Sequence, residues 1–104
     1  MTDLTNLTLT ETIKGLENKE FSSVDVTKAY LKNMEDKRRL NAFITETPEH
    51  ALKMAEASDA RRAQGNAGKL EGVPVAIKDM FCTKGIRTTA ASRILSNFVP
   101  PFEA

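Results

Sequence analysis

Apolar residues recur at intervals of three and four, the spacing of a helix, through the first half of the chain. Leu9, Ile13 and Leu16 would lie on one face of a helix. Thr8 precedes them, and Glu11 follows Thr8 by three residues, which fits a capping box at a helix start. The pattern therefore predicts a first helix that begins after Thr8.

A second helix is predicted after Ser22, with Asp25 in the same three-residue relation. The side chains expected to form its buried stripe are those of Val26, Ala29, Tyr30 and Met34. The three cations at 37–39 are expected in its last turn, where the helix dipole favours positive charge.

A third helix is predicted from the opening at residues 47–49, which offers a cap, a proline at the first position and an acid in the first turn. It should continue to about Gln64 and stop at the glycines of 65–68. Its many alanines suggest close packing against a flat surface such as a sheet. Between the second and third helices, residues 40–45 form a short β-prone run.

Beyond residue 65 the pattern changes to short apolar runs and turns. Residues 75–77 are consistent with a buried strand, and the run ends in Lys78. A charge at the end of a buried run is costly unless it has a function, and a sheltered lysine can act as a base. On pattern alone, a lysine in this position is more often a structural charge that protects a sheet edge from aggregation. Residues 92–97 could form one or two helical turns.

The composition narrows the class of protein. The 104 residues carry a net charge of +1, so the balance of basic and acidic residues does not indicate a nucleic-acid or membrane surface. No apolar stretch approaches the roughly 20 residues that a membrane span needs. The first residues lack the features of a signal peptide, and we expect a cytoplasmic protein. With one cysteine, neither an internal disulfide nor a metal-binding pattern is predicted.

Other polar residues near Lys78 allow two interpretations each. Asp79 could orient Lys78 or the following loop, or it could cap local amides as a turn residue. The hydroxyls and amides of 88–92 could line an active site or form a loop without substrate contact. Cys82 could in principle be a nucleophile, but a catalytic thiol needs a base beside it. The only histidine, His50, is predicted in the first turn of a surface helix, so Cys82 is interpreted as a buried, inert thiol.

Residues 72–79 (GVPVAIKD), followed by Gly85 and the TTAAS run at 88–92, resemble the opening motif of the amidase-signature family. Within that family, residues 7–31, 81–89 and 92–104 resemble the A subunits of glutamyl-tRNA(Gln) amidotransferases. The resemblance covers essentially all 104 residues, but only the first part of the family's domain.

The resemblance implies an α/β fold in which a mixed sheet is covered by helices, with this chain supplying the N-terminal part of a single domain. Residues 1–65 would be its first helices, and 66–104 its lysine-bearing strand and loop. Lys78 is implied as the catalytic base of a Ser-Ser-Lys triad, acting through a bridging serine on the nucleophilic serine. Both catalytic serines would lie outside this chain, and no substrate-binding residue is assigned.

In such amidotransferases, glutamine is hydrolysed and its ammonia passes to a partner subunit that converts Glu-tRNA(Gln) to Gln-tRNA(Gln). The implied partners are subunits B and C of a heterotrimer. ATP and Mg²⁺ would be used by the partner, and no cofactor is expected in this chain. The 104 residues alone should be inactive. A stand-alone amidase-signature hydrolase and a truncated, non-catalytic product remain as alternatives.

Overall fold

Three α-helices dominate the computed structural model, which describes residues 3–104. They are α1 (Leu9–Glu17), α2 (Ser23–Asp36) and α3 (Pro48–Ala63), with short 3₁₀ turns at Leu4–Asn6 and Arg38–Leu40. The chain divides into two compact units. A helical unit combines the residues up to Leu40 with 47–74, and a smaller unit combines 41–46 with 75–104.

The predicted helix starts are confirmed. At α1, the Thr8 hydroxyl accepts the Glu11 N–H at 3.2 Å. At α2, the Ser22 hydroxyl accepts the Asp25 N–H at 3.1 Å, and the Asp25 carboxylate accepts the Ser22 N–H at 3.0 Å, which completes a capping box. At α3, Pro48 occupies the first turn as predicted, but the Thr47 side chain makes no capping hydrogen bond to the helix.

The end of α2 differs from the prediction. The helix ends at Asp36, so the cations at 37–39 follow its last turn instead of lying within it. The Leu40 N–H bonds to the Lys37 carbonyl at 2.9 Å, which closes the 3₁₀ turn. Asn41 then adopts a φ of +53°. This left-handed conformation interrupts an extended run, and the β-prone residues 40–45 form no strand.

The helical unit is held together by α3 packing on α2, and not on a sheet as its alanines suggested. Val26 of α2 and Ala55 of α3 are buried, together with Leu16 of α1. Small side chains allow the close approach of two helices as well as that of a helix and a sheet, and within residues 3–104 the partner of α3 is a helix. Tyr30, expected in the buried stripe of α2, is 38% exposed.

Polar contacts link α3, the start of α2 and Gly72 within the helical unit. The Asp59 carboxylate accepts the first N–H groups of α2, from Ser23 at 2.8 Å and Val24 at 3.1 Å. The Ser23 hydroxyl in turn donates to the Gly72 carbonyl at 2.8 Å. These bonds join the beginning of α2 to both α3 and Gly72.

Glu71 is tied to α3 by a second set of polar contacts. Its carboxylate accepts from Arg61 Nε at 2.6 Å and from the Ser58 hydroxyl at 2.8 Å. These hydrogen bonds, that of Arg61 first, lower the pKa of Glu71 from 4.5 to about 2. The residue before Gly72 is therefore held as a carboxylate against α3.

The buried strand predicted at 75–77 is not formed among residues 3–104. Val75 is 72% exposed and Ile77 is 60% exposed, and residues 73–78 have no regular secondary structure. A strand requires a neighbour for its amides, and the described residues provide none here. The predicted mixed sheet is therefore not observed in this part of the chain. Within the same residues, no helix combines the length and hydropathy needed to span a bilayer.

Candidate lysine site and the adjoining turn

Lys78 lies in the smaller unit, at the end of a segment without regular secondary structure that begins in this unit at Val75. A turn follows, in which the Phe81 N–H donates to the Lys78 carbonyl at 3.0 Å. The Lys78 side chain is exposed, and its ammonium makes no hydrogen bond or ion pair within residues 3–104. The apolar shelter predicted around it is not built by these residues, because Val75 and Ile77 are themselves exposed.

Asp79 is the most highly connected polar residue beside the lysine. One carboxylate oxygen accepts the Thr89 N–H at 2.9 Å. The other accepts the Thr89 hydroxyl, in a short contact, and the Ala91 N–H at 3.1 Å. The bonds from the Thr89 hydroxyl and amide, supplemented by that from Ala91, lower the pKa of Asp79 below its ordinary value.

These contacts decide between the two interpretations of Asp79. It does not cap amides of its own turn; it holds a loop that lies 10 and 12 residues further along the chain. The sequence could suggest an acid beside a lysine, but it could not identify the partners, because they depend on how the intervening residues fold back.

The turn held by Asp79 contains two alanines in an unusual backbone conformation. Ala90 has a φ of +48° and Ala91 a φ of +57°. Residues other than glycine rarely adopt this left-handed backbone conformation, which costs about 1–2 kcal/mol per residue. Two adjacent residues in this region persist only where surrounding contacts determine them. The Asp79 carboxylate provides such contacts.

The remainder of the smaller unit buries the threonines of this turn. Thr88 and Thr89 are 5% and 4% exposed. The Thr88 N–H donates to the Phe98 carbonyl at 3.0 Å, and the Gly85 N–H donates to the carbonyl of the buried Pro100 at 3.0 Å. Residues 98–100 therefore run beside 85–88 and support the turn from one side. The helical turns predicted at 92–97 are present only as hydrogen-bonded turns.

Arg87 binds residues 44 and 45, in the part of the smaller unit that comes from segment 41–46. Its guanidinium donates to the Thr45 hydroxyl at 3.2 Å, to the Ile44 carbonyl at 3.3 Å and to the Ser96 carbonyl at 3.3 Å. Sequence reasoning missed this role, because Arg87 and Thr45 are 42 residues apart and neither lies in a motif that predicts the contact.

A shallow groove of about 300 Å³ lies beside the turn. Its lining residues are Ile44, Arg87, Thr89, Ala91, Ser92, Arg93 and Ser96. Hydroxyls and guanidinium groups are suited to bind carboxylate or amide oxygens. Lys78 is not among the lining residues, so the structure brings Asp79 and the 88–92 loop together but does not bring the lysine ammonium into this groove.

Two further predicted residues have separate outcomes. His50 is exposed in the first turn of α3, as predicted. Cys82 is a free thiol of intermediate exposure, so it is less buried than predicted. Within the part of the chain that the structure describes, no group of three or more His, Cys, Asp or Glu side chains could hold a metal ion.

Comparisons with known proteins give concordant results. A family model described as Amidase matches residues 25–104. The glutamyl-tRNA(Gln) amidotransferase subunits A of Methylocella silvestris and Hyphomonas neptunium are 61% and 57% identical to this chain over all 104 residues. The chain spans only 21% of the length of these curated relatives.

The backbone also matches a solved structure. That structure concerns an unexpected vestigial protein complex that reveals the evolutionary origins of an s-triazine catabolic enzyme. The TM-score is 0.87 and the sequence identity 33%, over 94% of this chain and 22% of the other. A similar backbone fold therefore occurs within a much longer protein.

Proposed function

Because this chain belongs to the amidase family, we propose that it is the N-terminal part of the glutaminase subunit of a tRNA-dependent amidotransferase. The observation that carries the proposal is identity of 57–61% over the whole chain to proteins named as the A subunit of that enzyme. The chain then forms the first part of a single amidase domain, and the catalytic serines belong to the remainder of that domain.

In this function Lys78 is the general base of a Ser-Ser-Lys triad. An amide is a poor electrophile, and a serine hydroxyl is a weak nucleophile at neutral pH unless a base takes its proton. Neutral Lys78 accepts that proton through a bridging serine while the nucleophilic serine attacks the side-chain amide of glutamine. The proton is then returned to the departing nitrogen, ammonia leaves, and water hydrolyses the acyl-enzyme to glutamate.

The released ammonia serves a partner. Subunits B and C complete a cytoplasmic heterotrimer, in which the partner uses ATP and Mg²⁺ to activate Glu-tRNA(Gln) and amidates it. The 104-residue chain contributes the lysine and neither serine, so it is inactive without the rest of its subunit. The matches to named A subunits favour this function over that of a stand-alone hydrolase.

The test is to assay ammonia release from glutamine by the full-length subunit in its complex. Lys78→Ala should lower kcat by about 10²–10⁴-fold, the usual contribution of a general base. Lys78→Arg should restore little, because arginine keeps its proton. Lys84→Ala is a matched control, since Lys84 is also an exposed lysine of the smaller unit. Near-normal turnover by Lys78→Arg would show that Lys78 is a structural charge.

A second measurement separates the proposed complex from the alternatives. With ammonium chloride in place of glutamine, amidation of Glu-tRNA(Gln) should continue in the Lys78→Ala complex, because the lysine is needed only to release ammonia. Glutamine hydrolysis without any ammonia-dependent amidation by the complex would instead indicate a stand-alone hydrolase.

A further inference from the structure

We propose that Asp79 is a positioning residue for Lys78, because it fixes the left-handed turn at 89–91 to the backbone that carries the lysine. The inference rests on the proposed function, in which Lys78 acts as a base. It assigns to Asp79 no contact with substrate. Its role is to hold the backbone from which the lysine side chain extends.

Four hydrogen bonds join Asp79 to the turn. Three end on its carboxylate, from the Thr89 amide, the Thr89 hydroxyl and the Ala91 amide. The fourth ends on its backbone carbonyl, which accepts the Ala90 N–H at 2.9 Å. Both the side chain and the main chain of Asp79 are thus fixed to residues 89–91.

Lys78 directly precedes this fixed residue. The Lys78 carbonyl also accepts the Phe81 N–H at 3.0 Å, so the backbone is restrained through the turn that follows the lysine. The lysine stem itself has several rotatable bonds and is exposed. A base on such a flexible stem reaches a defined position only if its Cα is fixed, and reacting groups must be placed to within about 0.5 Å.

The backbone of the turn shows why Asp79 is needed to hold it. Ala90 and Ala91 both have positive φ values, where glycine would be unstrained and alanine is not. Strained residues relax unless their surroundings determine them. The amides of Ala90 and Ala91 both bond to Asp79, so that residue holds both strained alanines directly.

The experiment uses the full-length subunit in its complex and compares two aspartates. Asp79→Asn should lower kcat for glutamine hydrolysis by about 10²-fold, with little change in KM, because a displacement near 1 Å has an effect of this size. Asp59→Asn is the matched control. Asp59 also accepts two backbone amides, those of Ser23 and Val24, but it lies in the helical unit. It should lower thermal stability and leave kcat unchanged.

Glycine substitutions in the turn separate positioning from a direct role. In the Asp79→Asn background, Ala90→Gly with Ala91→Gly should raise kcat by roughly tenfold, because glycine adopts positive φ without the penalty that alanine bears. Absence of this rescue would overturn the proposal, since Asp79 would then act other than by holding the turn. Wild-type kcat in Asp79→Asn would overturn it as well.

Hydrogen exchange supplies a readout that does not depend on activity. The Thr89 and Ala91 amides should exchange at least tenfold faster in Asp79→Asn, and unchanged exchange would overturn the proposal. Lys78→Ala is measured in parallel. If Lys78→Ala is inactive while Asp79→Asn is fully active, only the positioning role is refuted. If Lys78→Ala is itself fully active, the proposed function is refuted.

Discussion

Replacing Gly72 with alanine should destabilise the helical unit more than replacing Gly65 in the same way. Both glycines have positive φ values, +85° at Gly72 and +78° at Gly65. They differ in their surroundings. A Cβ atom at Gly72 would lie 3.0 Å from the Ser23 Cβ and 3.1 Å from its hydroxyl, whereas a Cβ atom at Gly65 would meet nothing within 4 Å.

The expected difference in the free energy of unfolding follows from three contributions, of which two are the same at both glycines. Positive φ costs an alanine about 1–2 kcal/mol, and the reduced freedom of the unfolded chain returns about 0.4–1 kcal/mol. Both terms apply at both positions and cancel in the comparison. Overpacking adds about 1–3 kcal/mol at Gly72 alone, because Ser23 is only 2% exposed and cannot move aside freely. Gly72→Ala should therefore cost about 1–3 kcal/mol more than Gly65→Ala.

Native-state hydrogen exchange measures this difference. The amides of α2 around Val26 report the free energy of opening the helical unit, which can be compared among the wild type, Gly65→Ala and Gly72→Ala. The hydroxyl of Ser23, which donates to the Gly72 carbonyl, should lose that bond in the Gly72 variant. Equal losses in the two variants would refute the close approach of Gly72 to the start of α2.

Three further outcomes are expected. The depressed pKa of Glu71, about 2, means that its contribution to stability is present above the ordinary value of 4.5 and is lost as pH falls through 2. In Glu71→Gln, the helical circular-dichroism signal should lack this acid-dependent loss. Thr89→Val should raise the pKa of Asp79 towards its ordinary value, as followed by NMR titration of the carboxyl carbon; an unchanged titration would show that the Thr89 hydroxyl is not its main donor. In the 104-residue chain, the amides of 75–77 should exchange rapidly, and strong protection there would contradict the exposed, irregular conformation of this segment.

The helices could be predicted because their signals are local. The Ser22–Asp25 capping box and the Pro48 start use residues within one turn of one another, so the pattern specifies them without knowledge of the fold. The conformation of residues 75–77 could not be predicted in the same way. These apolar residues fit a strand, but a strand forms only with a paired neighbour, and none lies within residues 3–104.

The helix starts, and the place of Lys78 in a motif that resembles the amidase-signature family, can be read from the residues alone. The packing of α3 on α2, and the bonds from Thr89 and Ala91 to Asp79, become visible only in the folded chain. The difference arises from the distance along the chain over which each interaction acts. A cap forms between residues three positions apart, whereas the partners of Asp79 become neighbours only after ten or more intervening residues have folded back.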